Sequence, residues 1–153
     1  MKFENQIIQK IDSGSIDVSC PIYLSNCIID TLDFVGIEFE KEVIIRRCII
    51  TNMDIYSSWF SKGLIFVENL VLSDIDYEMG GHNKKEIIIE QNIFKGFFSF
   101  FDCCFEKEIV IRNNIFTGNS DLLLQENKGF DNIFENGYIV ENNIGRLDML
   151  RLL

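Results

Sequence analysis

Four sets of side chains in this 153-residue chain have types that do chemistry: five cysteines, one histidine, a spaced pair of aspartates and a repeated acid–lysine–acid triplet. Spacing decides what each set can do. A zinc centre needs four clustered ligands, usually in close-spaced pairs. Cys27 and Cys48 stand 21 residues apart, and Cys103 and Cys104 are adjacent, so on an extended strand they point opposite ways. His82, in "GGHN", has no Ser or Cys nucleophile pattern with it. Asp33 and Asp54 repeat at the same interval as Cys27 and Cys48, which suits an acidic cluster for calcium or acid–base work but brings no Lys or Arg in register. The triplet Glu40–Lys41–Glu42 returns as Glu106–Lys107–Glu108. These readings assign no catalytic residue, no metal ligand and no cofactor. The shared interval of 21 points instead to an architecture that repeats.

The triplets open two stretches, "EKEVIIRRCII" and "EKEIVIRNNIF", which belong to a longer series. Lines beginning at Ile22, Val43, Leu64, Ile87, Ile109 and Tyr138 read apolar, any, apolar, two polar, then Asn or Cys; their starts are 21, 21, 23, 22 and 29 residues apart. A finer period lies inside. Leu24, Ile29, Phe34, Phe39, Ile45, Ile50, Ile55, Phe60, Phe66 and Val71 follow one another by steps of five with a six at every fourth. A helix would place apolar residues three and four apart, and a simple strand would alternate without resetting. Four five-residue sides with one lengthened corner make a square coil of 21 residues. The charged triplets, with "FSKGL" and "FENGY", fall on the lengthened corner and read as a solvated bend.

This pattern resembles the pentapeptide-repeat family, whose motif has a large apolar central residue and a small one two positions before it. The resemblance covers roughly residues 20–116 and implies an all-β, right-handed quadrilateral β-helix of about five to six coils. Where that family prefers Ala, this chain has Cys27, Cys48, Asn69, Asn92, Cys103 and Asn114, which also brings it near the pectate-lyase-like β-helices with their stacked Asn. A buried Asn column is expected to pair its amides from coil to coil.

The expected organisation is an N-terminal cap over residues 1–19, a β-helix over 20–144, and a C-terminal cap or dimer contact over 145–153. "FENQIIQKI" carries a helical apolar pattern suited to the first cap. Insertions at about 73–86 and 117–137 are expected to leave the column after the second side. No apolar run reaches the roughly 18 residues that span a bilayer. The start lacks a signal-peptide core, and the odd cysteine count suits a reducing compartment, so a cytoplasmic location is expected. A net charge of −10 argues against nucleic acid as a ligand and allows a basic protein partner.

Function is sought on the outside of the column. The position between the two inward residues points outward. It is occupied by Tyr23, Ile44, Ile65, Ile88, Val110 and Ile139 on the first side and by Ile28, Ile49, Leu70, Ile93, Ile115 and Ile144 on the second. Trp59 holds the same position on the fourth side. Two apolar ridges of this kind are expected to be protein-binding faces, for a homodimer or for a partner, on a non-enzymatic scaffold that neutralises a toxin or binds a regulatory target. Two alternatives follow from the resemblances: a carbohydrate-active β-helix enzyme using Asp33 and Asp54 with calcium or as acids, and an acidic DNA mimic that binds a topoisomerase.

Overall fold

The computed structural model describes residues 1–152, and they form a right-handed parallel β-solenoid whose coils have four sides. The first side is a seven-stranded parallel sheet, running in space from Lys2–Glu4 through Ile22–Ser25, Val43–Arg46, Leu64–Val67, Ile87–Glu90 and Ile109–Arg112 to Tyr138–Glu141. The second is a six-stranded sheet from Ile7–Ile11 to Ile115–Phe116. Shorter pairs close the square: Ile75–Asp76 with Phe98–Ser99 on the third side, and Glu38–Phe39 with Trp59–Phe60 and Cys104–Phe105 with Ile133–Phe134 on the fourth. No helix in the described residues is long and apolar enough to cross a membrane.

The five-residue period is the core. All ten central residues from Leu24 to Val71 are buried, as are all ten residues two positions before them, from Ile22 to Asn69. β-branched Ile and Val suit the pleat. The aromatic residues stack along the axis: Phe39 on Phe60 at 5.0 Å and nearly parallel, and Phe94 on Phe116 at 5.0 Å. One coil lacks an inward aromatic on its fourth side. There the Tyr77 ring, fully buried, reaches across from the third side between Phe60 and Phe105. It lies so close over Gly80 that a Cβ there would stand 2.2 Å from the ring.

The first corner is built the same way on every coil. Asn5, Asn26, Arg47, Glu68, Gln91, Asn113 and Asn142 all take left-handed backbone, with φ of 53–59°. This region is unfavourable for residues with a Cβ, and Asn tolerates it better than most. The next residue turns its side chain inward. The Oδ1 atoms of Asn69, Asn92, Asn114 and Asn143 accept the N–H of Cys48, Asn69, Asn92 and Asn114 in the preceding coil, at 2.8–3.0 Å. Their Nδ2 groups donate, each at 2.9 Å, to the carbonyls of Ile45, Phe66, Ile89 and Ile111. The Asn column is thus chiefly an amide-to-backbone ladder, with amide-to-amide contacts only from Asn92 to Asn114 and from Asn114 to Asn143. Cys27 and Cys48 hold the same corner lower down and donate their thiols to Ser25 O and Arg46 O, each at 3.3 Å.

Three expectations about organisation are corrected. Residues 1–19 are not a helical cap: Phe3, Ile8 and Ile11 lie in register with Leu24, Ile29 and Leu32, so the stretch is the first coil. Its apolar spacing satisfies both periods, and the left-handed Asn5 together with pairing to the next coil decides for the strand. Residues 73–86 are no projecting insertion. Ile75 and Tyr77 point into the core, and the coil grows by one residue near Ser73 and one in the following bend, because Ile55 donates to Asp76 O while Leu64 pairs with Ile87. The long stretch does leave the column, but after the third side: Phe98 still bridges Ser120, whereas Cys104 pairs with Ile133, so the added residues fall between Asp121 and Asn132. The segment after Ile144 follows the third side of the last coil without helix. Arg146 O and Leu147 O accept the N–H groups of Ser120 and Leu123 at 2.8 and 2.7 Å, and residue 153 lies outside the described residues.

Replacing Asn92 with Ala leaves the buried N–H of Asn69 without a partner and takes one of two donors from the carbonyl of Phe66, which keeps its strand partner in the next coil; the loss is about 2–4 kcal/mol, about 1–3 for the orphaned group and about 1 for the lost bond. Calorimetry should show the melting temperature of Asn92→Ala fall by roughly 5–15 °C. A fall within 2 °C, on the order of half a kcal/mol, would remove the ladder from its structural role.

Candidate functional site

The second side presents an unbroken apolar row along the column. Ile28, Ile49, Leu70, Ile93 and Ile115 are partners in one parallel register, Ile144 is bridged to Ile115, and Ile7 extends the row at the other end. All except the half-buried Leu70 are exposed, Ile7 and Ile144 the most. Sequence reasoning missed Ile7 because it assigned that stretch to a cap; the five-residue step from Phe3 to Ile8 was the available signal. At about 4.8 Å between strands, seven rungs span roughly 29 Å. The row is flanked on the corner by Asn5, Asn26, Arg47, Glu68, Gln91, Asn113 and Asn142, polar residues of which five are uncharged.

The first side differs from its expected form. Ile44, Ile65, Ile88 and Ile139 are half-buried and Val110 is only 7% exposed, so this row is a shallow face rather than a ridge. Val110 is shorter than Ile88 and Ile139, its register partners above and below, and is covered between them. Tyr23 is half-buried, and cations flank its ring: Lys2 Nζ stands 5.6 Å and the Arg46 guanidinium 5.1 Å from the centroid. Trp59 points out from the fourth side and packs on His82, ring centroids 4.3 Å apart. His82 is thereby a stacking partner placed one coil above the Trp.

The aspartates gather on the third side. Asp33 and Asp54 are in register, and with Asp74, Asp76, Thr31, Asn52 and Val35 they line a groove of about 430 Å³. Their carboxylates serve the backbone: Asp33 accepts the Val35 N–H at 3.2 Å, Asp54 the Tyr56 N–H at 2.9 Å and Asp74 the Phe97 N–H at 2.8 Å. Two cations reach the cluster: Lys10 of the first coil stands 3.9 Å from Asp33, and from the far end of the chain the Arg151 guanidinium bonds Asp74 at 3.1 Å and also Asp76. Among the described residues no three His, Cys, Asp or Glu side chains are arranged to hold a metal ion. Burial, then the charges of Asp76 and Asp33, push the Asp54 carboxyl above its ordinary range. Burial and Asp76 do the same to Glu78, and burial to Asp121. The thiols are no readier for chemistry. Burial pushes Cys48 up to about 11 and raises Cys103 and Cys104. Cys103 points inward and Cys104 outward.

No family model matches the chain, and neither a curated protein nor a solved structure matches it. Its description as a β-helix repeat protein rests on the stacked coils themselves.

A carboxyl whose pKa is raised by folding binds its proton more tightly in the native state, so it adds stability as pH falls and loses it as pH rises through the raised value. Asp54, Glu78 and Asp121 act in this sense as pH falls through the interval just above the ordinary range of 3.8–4.5. Asp12, Asp17 and Asp148, shifted down, oppose it only as pH falls through and below 3.8. The melting temperature should therefore be higher near about pH 5 than at about pH 7. Asp54→Asn, which keeps the acceptor for Tyr56, should reduce that difference; an unchanged or reversed difference would contradict the assignment.

Proposed function

We propose that the chain is a non-enzymatic cytoplasmic protein-binding scaffold, a divergent solenoid of the pentapeptide-repeat kind, whose second side is the seat of a protein partner. The observation that carries this reading is the row Ile7–Ile28–Ile49–Leu70–Ile93–Ile115–Ile144. An apolar strip of this length on a rigid sheet exceeds what stability requires of an outer face, and its ordered backbone loses little freedom on binding. The partner it fits carries a straight apolar strip with a largely neutral rim. The net charge of −10 favours basic residues beyond that rim. A toxin or a regulatory protein would meet this description. The acidic groove supports the same non-enzymatic reading, since its carboxylates hold backbone N–H groups and Arg151.

A photo-crosslinking residue at Ile49 or Ile93 should give one discrete adduct in the native cytosol, and the same residue at Lys62, on the fourth corner, should not. Leu70→Lys should weaken binding of the captured protein about tenfold or more, the scale of a central interface contact. Identical adducts from all three positions, or none, would sink the proposal.

A further inference from the structure

Among the described residues the first sheet has a free strand edge at each end of the column. In the first sheet Lys2–Glu4 and Tyr138–Glu141 are the outermost strands, each paired along one edge only. An unpaired strand edge presents N–H and C=O groups that another strand satisfies while also burying the side chains between. The direction of these groups follows from the coils within. Ile22 donates forward to Glu42 O at 3.1 Å and Tyr23 donates back to Met1 O at 2.9 Å, alternating as strand residues do. By the same register the N–H groups of Tyr138 and Val140 point out of the far end, and those of Lys2 and Glu4 out of the near end. The Asn143 N–H points out of the far end as well, where every earlier Asn of the ladder meets the amide of the next coil.

The two edges match each other. The last coil offers a strand, the left-handed Asn142 and the outward Ile144; the first offers a strand, the left-handed Asn5 and the outward Ile7. Ile7 and Ile144 are the most exposed rungs of the side-two row, at 86% and 66%, because each has a neighbour on one side only. Placing the first coil of one molecule on the last coil of another sets Ile7 over Ile144, Phe3 over the half-buried Val140, and the Gln6 amide over the Asn143 N–H. We propose that copies of this chain associate head to tail in this register, the first-coil edge of one continuing the last-coil edge of the next. The contact joins unlike surfaces, so it is open-ended and builds short filaments rather than a closed dimer. It uses the ends of the column and is independent of any partner on the second side. Glu4 stacks over Glu141 across the junction, offset in part by Lys2 at 3.1 Å from Glu4, so association strengthens with added salt.

The test blocks each edge separately. Val140→Pro and Glu4→Pro each remove one outward N–H while leaving bonds within the column, as proline on an edge strand does. Light scattering of the native chain should give a mass that rises with concentration above the 17.8 kDa monomer. Each variant alone should remain monomeric, and an equimolar mixture should recover dimers and nothing larger, because each retains the edge the other has lost. Far-UV circular dichroism checks that both variants fold. Ile144→Arg, a change at an exposed rung, should weaken association at least tenfold, while Ile49→Lys in mid-column should leave it unchanged. A native chain that stays monomeric at every concentration, a Glu4→Pro or Val140→Pro variant that associates alone, or association lost with Ile49→Lys would overturn the proposal.

Discussion

The corner between the first and second sides is the constraint on which the other features depend. Each coil turns there through a left-handed residue, and beside the turn one N–H faces a dry interior without a strand partner. A buried group of this kind, left unpaired, costs about 1–3 kcal/mol. The Asn side chains from Asn69 to Asn143 accept that N–H and with the same amide give a second donor to a strand carbonyl, both in the coil before. An Asn at this corner is therefore satisfied only when the adjacent coil sits at one height and in one register. That condition couples neighbouring coils more tightly than apolar burial alone, which is non-directional.

Once the corner holds the register, the remaining order follows. Inward residues stack on inward residues, which is why Phe39 lies flat on Phe60 and Phe94 on Phe116. Outward residues stack likewise, which is why the side-two isoleucines form one row although the coils differ in length. The column absorbs irregularity at other corners. Extra residues enter near Ser73 and between Asp121 and Asn132, and a missing aromatic is replaced by Tyr77 over Gly80. Charge is handled at the lengthened corner by pairs between coils, such as Lys84 with Glu106 at 2.8 Å, exposed contacts that do more for solubility than for stability.

A rigid column of this kind offers two classes of surface with different physics. The flat sides are paired sheets whose backbone is satisfied, so only their side chains are available, and on the second side the outward row is Ile at six of its seven rungs. The ends are unpaired edges, where backbone and side chains are both available. The acidic third side belongs to neither class, because its groove is occupied by hydrogen bonds to its own backbone and by the returning Arg151.

The sequence by itself determined the coil: a step of five with a six at each fourth corner has one square solution, and every residue it placed inward from Ile22 to Val71 is buried. It also placed the second-side row, since the position between two inward residues on a strand must face out. Other features depended on tertiary contact. The stretch from Phe3 to Ile11 is compatible with a helix or a strand as an isolated segment, and pairing with Ile22–Ser25 and Ile28–Asp33 selects the strand. Val110 reads as exposed by position and is buried because its neighbours are one methylene longer. Arg151 lies 75 residues from Asp76, and no local pattern announces a contact set by where the last coil ends. The direction of a side chain along a strand is a local property, legible from spacing; what covers it depends on chain segments that are neighbours only after folding.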